Sequence, residues 1–489
     1  MARIQNSAGP AQRSAGSVTF ALVGFLFLVE LVSGILQGYY IPLIPTLIKH
    51  LGIETASYNW FEAAQLLLSA IVVPFLAKLG DMYGHKRILL ISTVLTALAT
   101  WALPFADSFW PYLIAFALQG FYVVWLPLEV ALIFDRGRRT GRGPSQTRRA
   151  AGFLVVALEV GAILGDLAGG NLIDVFGGNV PLTLIIPAIA VTLVFFAILF
   201  GVPESDPLPG RKLDAGGFAL LTIGLLLITG GLAFLRIASP GAWWVWVMMA
   251  AGVLVFLPWT LYEPKQKDPA VDIRVFRQPT MWPVQVTAGL VGISILGAQT
   301  PLATFAGADP KSGAGLGLSS GGITIVVGIY LISLIVGAVL FPFLANLTSP
   351  RIGLIIASFL VAAGYLDFLL LHATELETLA NMIVAGLGSG ALVGALPSAA
   401  AAAAPRGQTG IATGLTNTTK TIGGSFASST FAIVLASSAV TFMDKATPTL
   451  GGYLTVFTIC GCGALVAALL LFLVPKLAFS DQAEPTEFR

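Results

Sequence analysis

Apolar stretches of about twenty residues recur from one end of this chain to the other, and that recurrence excludes nearly every soluble fold. Each is long enough to cross ~30 Å of hydrocarbon as a helix. Inside a bilayer only helices and closed barrels satisfy their own backbone polar groups. Apolar residues make up 56% of the chain and charged residues 10%, against roughly 25% charged in ordinary globular domains. By hydropathy about fourteen spans are predicted, beginning near Val18, Tyr58, Ile88, Trp110, Ala150, Pro181, Leu213, Trp243, Thr280, Gly321, Arg351, Thr378, Gly410 and Gly452. The run from Val18 to about Ile44 is too long for a signal-peptide core and lacks a small-residue cleavage site, so it reads as the first span.

An even number of spans puts both termini on one side, and the basic residues choose the side. With the N-terminus cytoplasmic, roughly 21 Lys and Arg fall in inner segments and about four in outer loops, namely Lys49, Arg236, Lys311 and Lys445. The expected molecule is therefore an all-α, multi-pass protein of the cell inner or plasma membrane with both ends inside. Its longest basic loop carries Arg136, Arg138, Arg139, Arg142, Arg148 and Arg149. That loop either touches anionic lipid headgroups or only sets the topology.

No loop is long enough for a soluble ATPase or kinase module, so the expected energy source is a gradient, with no cofactor. Lone patterns such as Gly386, Gly388 and Gly390 inside a span read as helix packing rather than a nucleotide loop. Cys460 and Cys462 read as packing residues. His50, His85 and His372 are scattered, without metal spacing or a nucleophile beside a base. A metal centre is not expected, a nucleic-acid partner is not expected, and an integral-membrane transferase is only a remote alternative. The expected partners are a small-molecule substrate and the bilayer, bound by a monomer.

The fifth span is unusual. It carries two acids, Glu159 and Asp166, although charge at membrane depth costs at least ~2.5–3.5 kcal/mol and so usually faces a cavity or a partner. They lie seven residues apart, two helical turns, and so share a face. Gly161, Gly165 and Gly169 repeat every four residues and leave a bare stripe for close approach of another helix.

An internal repeat is visible in two short cytoplasmic turns. Leu79 to Arg87 joins spans two and three, and Leu344 to Arg351 joins spans ten and eleven; each has a polar Asp81 or Asn346 and a closing basic residue. Repeated halves are the usual build of secondary transporters, with the substrate site at their interface. Asp81 is placed either to cap a neighbouring helix or to pair with basic residues, and Gly84 permits a tight reversal. A well-made turn with positive-inside charge is the structural alternative.

The Leu79 to Arg87 loop resembles the signature loop of the major facilitator superfamily, matching at Asp81, Gly84, Lys86 and Arg87 and departing at Ala77 and Met82. The opening of span seven, Leu213 to Gly217, and the segment from Glu263 to Phe276 resemble the fourteen-helix drug:proton antiporter branch. Gly161, Gly165, Gly169 and Gly170 resemble its antiporter motif, with Asp166 in place of the usual proline. The arginine usual ahead of the Gln-Gly pair of span four is here Phe116, before Gln119 and Gly120. Its absence leaves the family's usual proton route without that group. The resemblance implies a major facilitator fold: residues 1–203 as an N-terminal six-helix half, 204–275 as two inserted helices, and 276–489 as a C-terminal six-helix half with a short tail. It also implies proton-coupled export by alternating access.

The residues that could carry such coupling are few. Glu30 lies about twelve residues from the cytoplasmic end of span one, ~18 Å deep, and Lys420 about ten residues into span thirteen, ~15 Å deep. Lys420 is the one basic residue at that depth and needs an anionic partner, with Glu30 or Glu159 the natural choice. Burial disfavours an ionised carboxyl and a nearby lysine favours it, so moving the lysine would switch protonation. The alternatives are a static buried pair and a lysine that snorkels. Asp166 either continues a proton path toward the outer face, binds cationic substrate, or sits in a watery vestibule. Glu129 is expected to neutralise nearby arginines, and Asp367 and Glu62 to be solvated. A largely apolar cavity with Gln37, Tyr39, Tyr40, Trp125, Gln285 and Gln299 would suit hydrophobic or amphipathic, including cationic, cargo. The alternative cargo is a lipid or endogenous metabolite. Trp243, Trp244 and Trp246 read as interfacial anchors.

Overall fold

A computed structural model describes residues 20–53, 59–138, 143–205, 212–237, 241–318, 320–405, 408–442, 445–476 and 478–479. The arginines at positions 3 and 13, and residues 139–142 of the basic loop, lie outside the described residues. The chain is nearly all helix, and thirteen helices among the described residues are long and apolar enough to cross a membrane. The N-terminal part runs through α1 (Phe20–Gly38), a short α2 (Ile44–Leu51), α3 (Asn59–Tyr83), α4 (His85–Ala102), α5 (Phe109–Gln119), α6 (Trp125–Arg138), α7 (Gly143–Val175) and α8 (Val180–Gly201). Two further long helices follow, α9 (Ala215–Ile237) and α10 (Trp243–Tyr262), then the short α11 (Ile273–Phe276). The C-terminal part comprises α12 (Trp282–Gly297), α13 (Gln299–Gly307), α14 (Ser320–Leu347), α15 (Pro350–Leu366), α16 (Glu375–Ala403), α17 (Thr409–Ser437) and α18 (Leu450–Leu471). A small antiparallel hairpin, β1 (Ala439–Phe442) with β2 (Lys445–Pro448), precedes α18.

Two spans expected as single helices are broken. Between α5 and α6 the chain tightens into a 3-10 turn, Gly120–Val124, and Pro127 then sits in the first turn of α6, where its missing N–H costs nothing. The ninth span likewise divides into α12 and α13.

The helix absent from the thirteen is α17. It is 29 residues long, yet Thr, Ser, Gly and Lys420 dilute its apolar content. It needs little apolar surface because it is flanked on several sides. Gln285 of α12 reaches Thr416, Gly292 of α12 packs against Lys420, and Gly410 packs against Ala77 of α3.

Hydrophobic packing forms two principal cores. One joins Leu26, Val29, Trp125, Leu128, Leu154 and Ile198 of the N-terminal helices. The other joins Val291, Leu334, Phe341, Leu392, Phe457 and Ala464 of the C-terminal helices. The halves repeat a packing detail. In the first, α1 and α7 run parallel in close contact, Leu31 against Gly161 and Ile35 against Gly165. In the second, α12 and α17 do the same, Gly289 against Gly423 and Gly297 against Ala427. Helix α9 lies along α3 and α17, with Phe218, Leu221 and Leu225 clustering with Ile411 and Phe75. The window of α10 is only 11% buried, so it lies outermost.

Candidate functional site

The two halves meet at the end of the molecule that carries the basic loops, here termed the basic face. Asp81, at the end of α3 and buried, accepts hydrogen bonds from the backbone N–H of Gly410 at 2.7 Å and of Ile411 at 3.0 Å. One carboxylate thus caps α17 of the opposite half, where orphan N–H groups and the helix dipole favour an anion. His85 stands beside it, 3.3 Å from Asp81 and 3.7 Å from Asp135. The Thr409 hydroxyl donates to Asp135 at 3.1 Å, that of Thr413 to the Pro127 carbonyl at 3.0 Å, and Arg138 to the Ala404 carbonyl at 3.2 Å.

The rest of the turn is held by a residue that sequence reasoning missed, Glu204. Its carboxylate accepts from the N–H groups of Lys86 at 2.9 Å and Arg87 at 3.2 Å, capping α4. The Lys86 ammonium donates to the Leu199 carbonyl, and exposed Arg87 lies 3.8 Å from Glu204. Gly84 is at φ 106°, and a Cβ there would stand 2.6 Å from the Glu204 carboxyl carbon. Both facts require glycine. In the corresponding turn of the other half, Ser349 caps α15 at Ile352, and Arg351 donates to the Leu471 and Phe472 carbonyls at the end of α18.

Deeper in, the ionisable residues gather between the halves. Lys420 of α17 is half-buried and within electrostatic reach of both Glu30 of α1 and Glu159 of α7. It is in ion-pair contact with neither among the described residues. Glu30 is fully buried, and its carboxyl oxygens have no hydrogen-bond partner among those residues. Expected to screen arginines, Glu129 is instead fully buried, unpartnered in the same sense and within electrostatic reach of Glu30. The reason is its place on α6: it lies within the buried run Leu128–Phe134, not at the solvated helix end. Tyr122 is within electrostatic reach of Glu30, and Tyr330 of α14 within that of Glu159.

Asp166 lies two turns beyond Glu159, partly buried, making no hydrogen bond or ion pair among the described residues. The glycine stripe of α7 faces α1 within its own half rather than the opposite half. A Cβ on Gly165 would meet the Ile35 carbonyl oxygen at 2.6 Å, and Gly161 and Gly169 press still more closely on the Leu31 and Tyr39 carbonyls. Gly170 packs more loosely, on Pro42.

The proposed cavity residues divide. Gln37 is exposed. The Tyr40 hydroxyl accepts from Gln119 at 2.7 Å, and its ring stands edge-on to Phe116. Trp125 is fully enclosed in this arrangement. Gln285 donates to Thr416 at 2.9 Å and the Ala412 carbonyl at 3.2 Å, tying α12 to α17. Gln299 opens α13, and its side chain lies outside the described residues. Phe116 joins an aromatic cluster with Tyr40, Phe61 and Tyr112, an apolar setting in which an arginine would lack an anion.

The sequence profile of the Major Facilitator Superfamily matches residues 26–428. The chain belongs to that superfamily. It is 25% identical over 447 residues to a protein of Streptomyces coelicolor named as a probable actinorhodin transporter, spanning 86% of this chain and 73% of that one. It is 27% identical over 390 residues to the cephamycin export protein CmcT of Amycolatopsis lactamdurans, spanning 78% of each. Among solved structures, its fold is similar to that of the human organic anion transporter MFSD10, with a TM-score of 0.69 over 92% of this chain and 99% of that one at 16% identity. This superfamily member is thus a multi-pass plasma-membrane transporter and not an enzyme.

Proposed function

We propose that this transporter exports small hydrophobic or amphipathic compounds by proton antiport, through alternating access of a site between its halves. The observation that carries the reading is Lys420, set within reach of two acids on separate helices of the opposite half. Glu30 and Glu159 are the proton carriers and Lys420 their movable counter-charge. When the halves rock, the distance from the lysine to each acid changes, and with it each acid's preference for a proton. Proton binding and the direction of opening are thereby linked. Asp166 extends the path toward the far face. With the basic face in the cytoplasm, the arrangement is closed inward. The relatives named for actinorhodin and cephamycin favour exported natural products over a lipid cargo.

The test is uptake of a cationic dye into inverted vesicles under an imposed proton gradient. Glu159→Gln is expected to lose gradient-driven uptake while dye binding to purified protein persists. Full retention of gradient-driven uptake in that variant would overturn the assignment.

A further inference from the structure

A cavity of about 420 Å³ opens laterally near the basic face, between α7 of one half and α14 of the other. Its polar wall includes Gln146, Arg148, Arg149 and Asn346, its apolar wall Phe153 and Phe343, and no acidic side chain lines it among the described residues. Arg148 is committed: its guanidinium donates to the Phe479 carbonyl at 2.6 Å. Arg149 is exposed and makes no hydrogen bond or ion pair among the described residues.

The vertical order of these groups matches a lipid. Arg149 stands where the apolar part of α7 begins, and Asn346 where that of α14 ends. Phe153 follows Arg149 by four residues and Phe343 precedes Asn346 by three, so each ring lies about one turn, ~5 Å, deeper on the same helix face. Both rings are exposed, at 47% and 58%. One free cation and an amide thus sit at headgroup level, with aromatic rings beneath them at the level of the acyl chains.

We propose that this crevice binds one anionic phospholipid, its phosphate on Arg149 and Asn346 and an acyl chain along Phe153 and Phe343, and that occupancy favours the arrangement closed at the basic face. The closure follows from where the walls belong. At the floor the halves touch, Gly152 against the Ala338 backbone. Separating α7 from α14 would pull Arg149 away from Asn346 and dismantle the site. A ligand that binds one arrangement better shifts the population toward it.

The test uses full-length purified protein, delipidated and titrated with phosphatidylglycerol, phosphatidylcholine or inorganic phosphate, with adducts read by native mass spectrometry. Phosphatidylglycerol is expected to bind at least tenfold more tightly than phosphatidylcholine. Arg149→Ala should weaken it about fivefold, the loss of one basic contact at a membrane surface, and Arg149→Glu further. Val339→Trp, which fills the crevice and leaves the charges, should also weaken it, and serves if the arginine variants fail to fold. In vesicles, added phosphatidylglycerol should enrich the closed state in spin-label distance measurements, and Arg149→Ala should require about fivefold more of the lipid for the same enrichment. Equal binding of the two lipids would overturn the proposal, as would unchanged binding in folded variants. Inorganic phosphate binding as tightly as the lipid would overturn it too, leaving a free-anion site.

Discussion

Replacing Asp81 with Asn tests whether one carboxylate holds the halves together. The side chain is nearly isosteric, so packing around it is preserved. The native oxygens accept from Gly410 at 2.7 Å and Ile411 at 3.0 Å. Hydrogen bonds to a charged group contribute about 1.5–3 kcal/mol each, so the pair supplies roughly 3–6 kcal/mol. An amide keeps one neutral acceptor, about 1 kcal/mol, and turns an NH2 toward the second backbone N–H. The expected loss is about 3 kcal/mol, and at 1.4 kcal/mol per tenfold the closed-to-open ratio falls on the order of 100-fold. Spin labels at Tyr83, exposed at the end of α3, and Thr348, exposed between α14 and α15, straddle the seam. In a background with Cys460 and Cys462 replaced, Asp81→Asn should move the distance distribution toward longer separations. An unchanged distribution in a folded variant would refute the capping argument.

Further outcomes follow from other contacts. Gly165→Ala would bring a Cβ to 2.6 Å from the Ile35 carbonyl oxygen; helix separation by several tenths of an ångström should cost about 1–3 kcal/mol, read as a lower unfolding temperature in detergent. Glu204→Ala removes the carboxylate that caps α4 and should cost about 1–2 kcal/mol in the same assay. Tyr39→Phe strips a 2.7 Å bond from the Thr183 carbonyl, a loss of about 1 kcal/mol. Lys420→Met and Glu159→Gln should be non-additive in the proton dependence of uptake, with a coupling of about 0.5–3 kcal/mol; strict additivity would show that the two groups do not act together.

The spans were legible because each long apolar helix must satisfy its backbone internally, whatever its neighbours. α17 was counted with the other apolar stretches, although Thr, Ser, Gly and Lys420 dilute its apolar content and keep it out of the thirteen; a helix packed among others has little need of lipid-facing side chains. The glycines of α7 announced a close approach but not by which helix, since a bare stripe carries no label for its partner. α1 occupies it. Glu129 was misread because its nearest charged neighbours in sequence are arginines, whereas in space it looks toward Glu30, on a helix about a hundred residues earlier. Its place inside an unbroken apolar run was the available signal. Glu204 was invisible for a related reason: its partners Lys86 and Arg87 lie 118 and 117 residues away.

The helices α9 and α10 make the molecule's two sides unequal. The groove between α3 and α17 is roofed along its length, with Trp60 and Phe75 of α3 meeting Phe234 and Phe218 of α9. The matching groove between α7 and α14 has no such roof among the described residues, and its rings face outward. The surrounding bilayer therefore meets an open flank on one side of the molecule and a covered one on the other, so the two sides are not interchangeable to a lipid that approaches them.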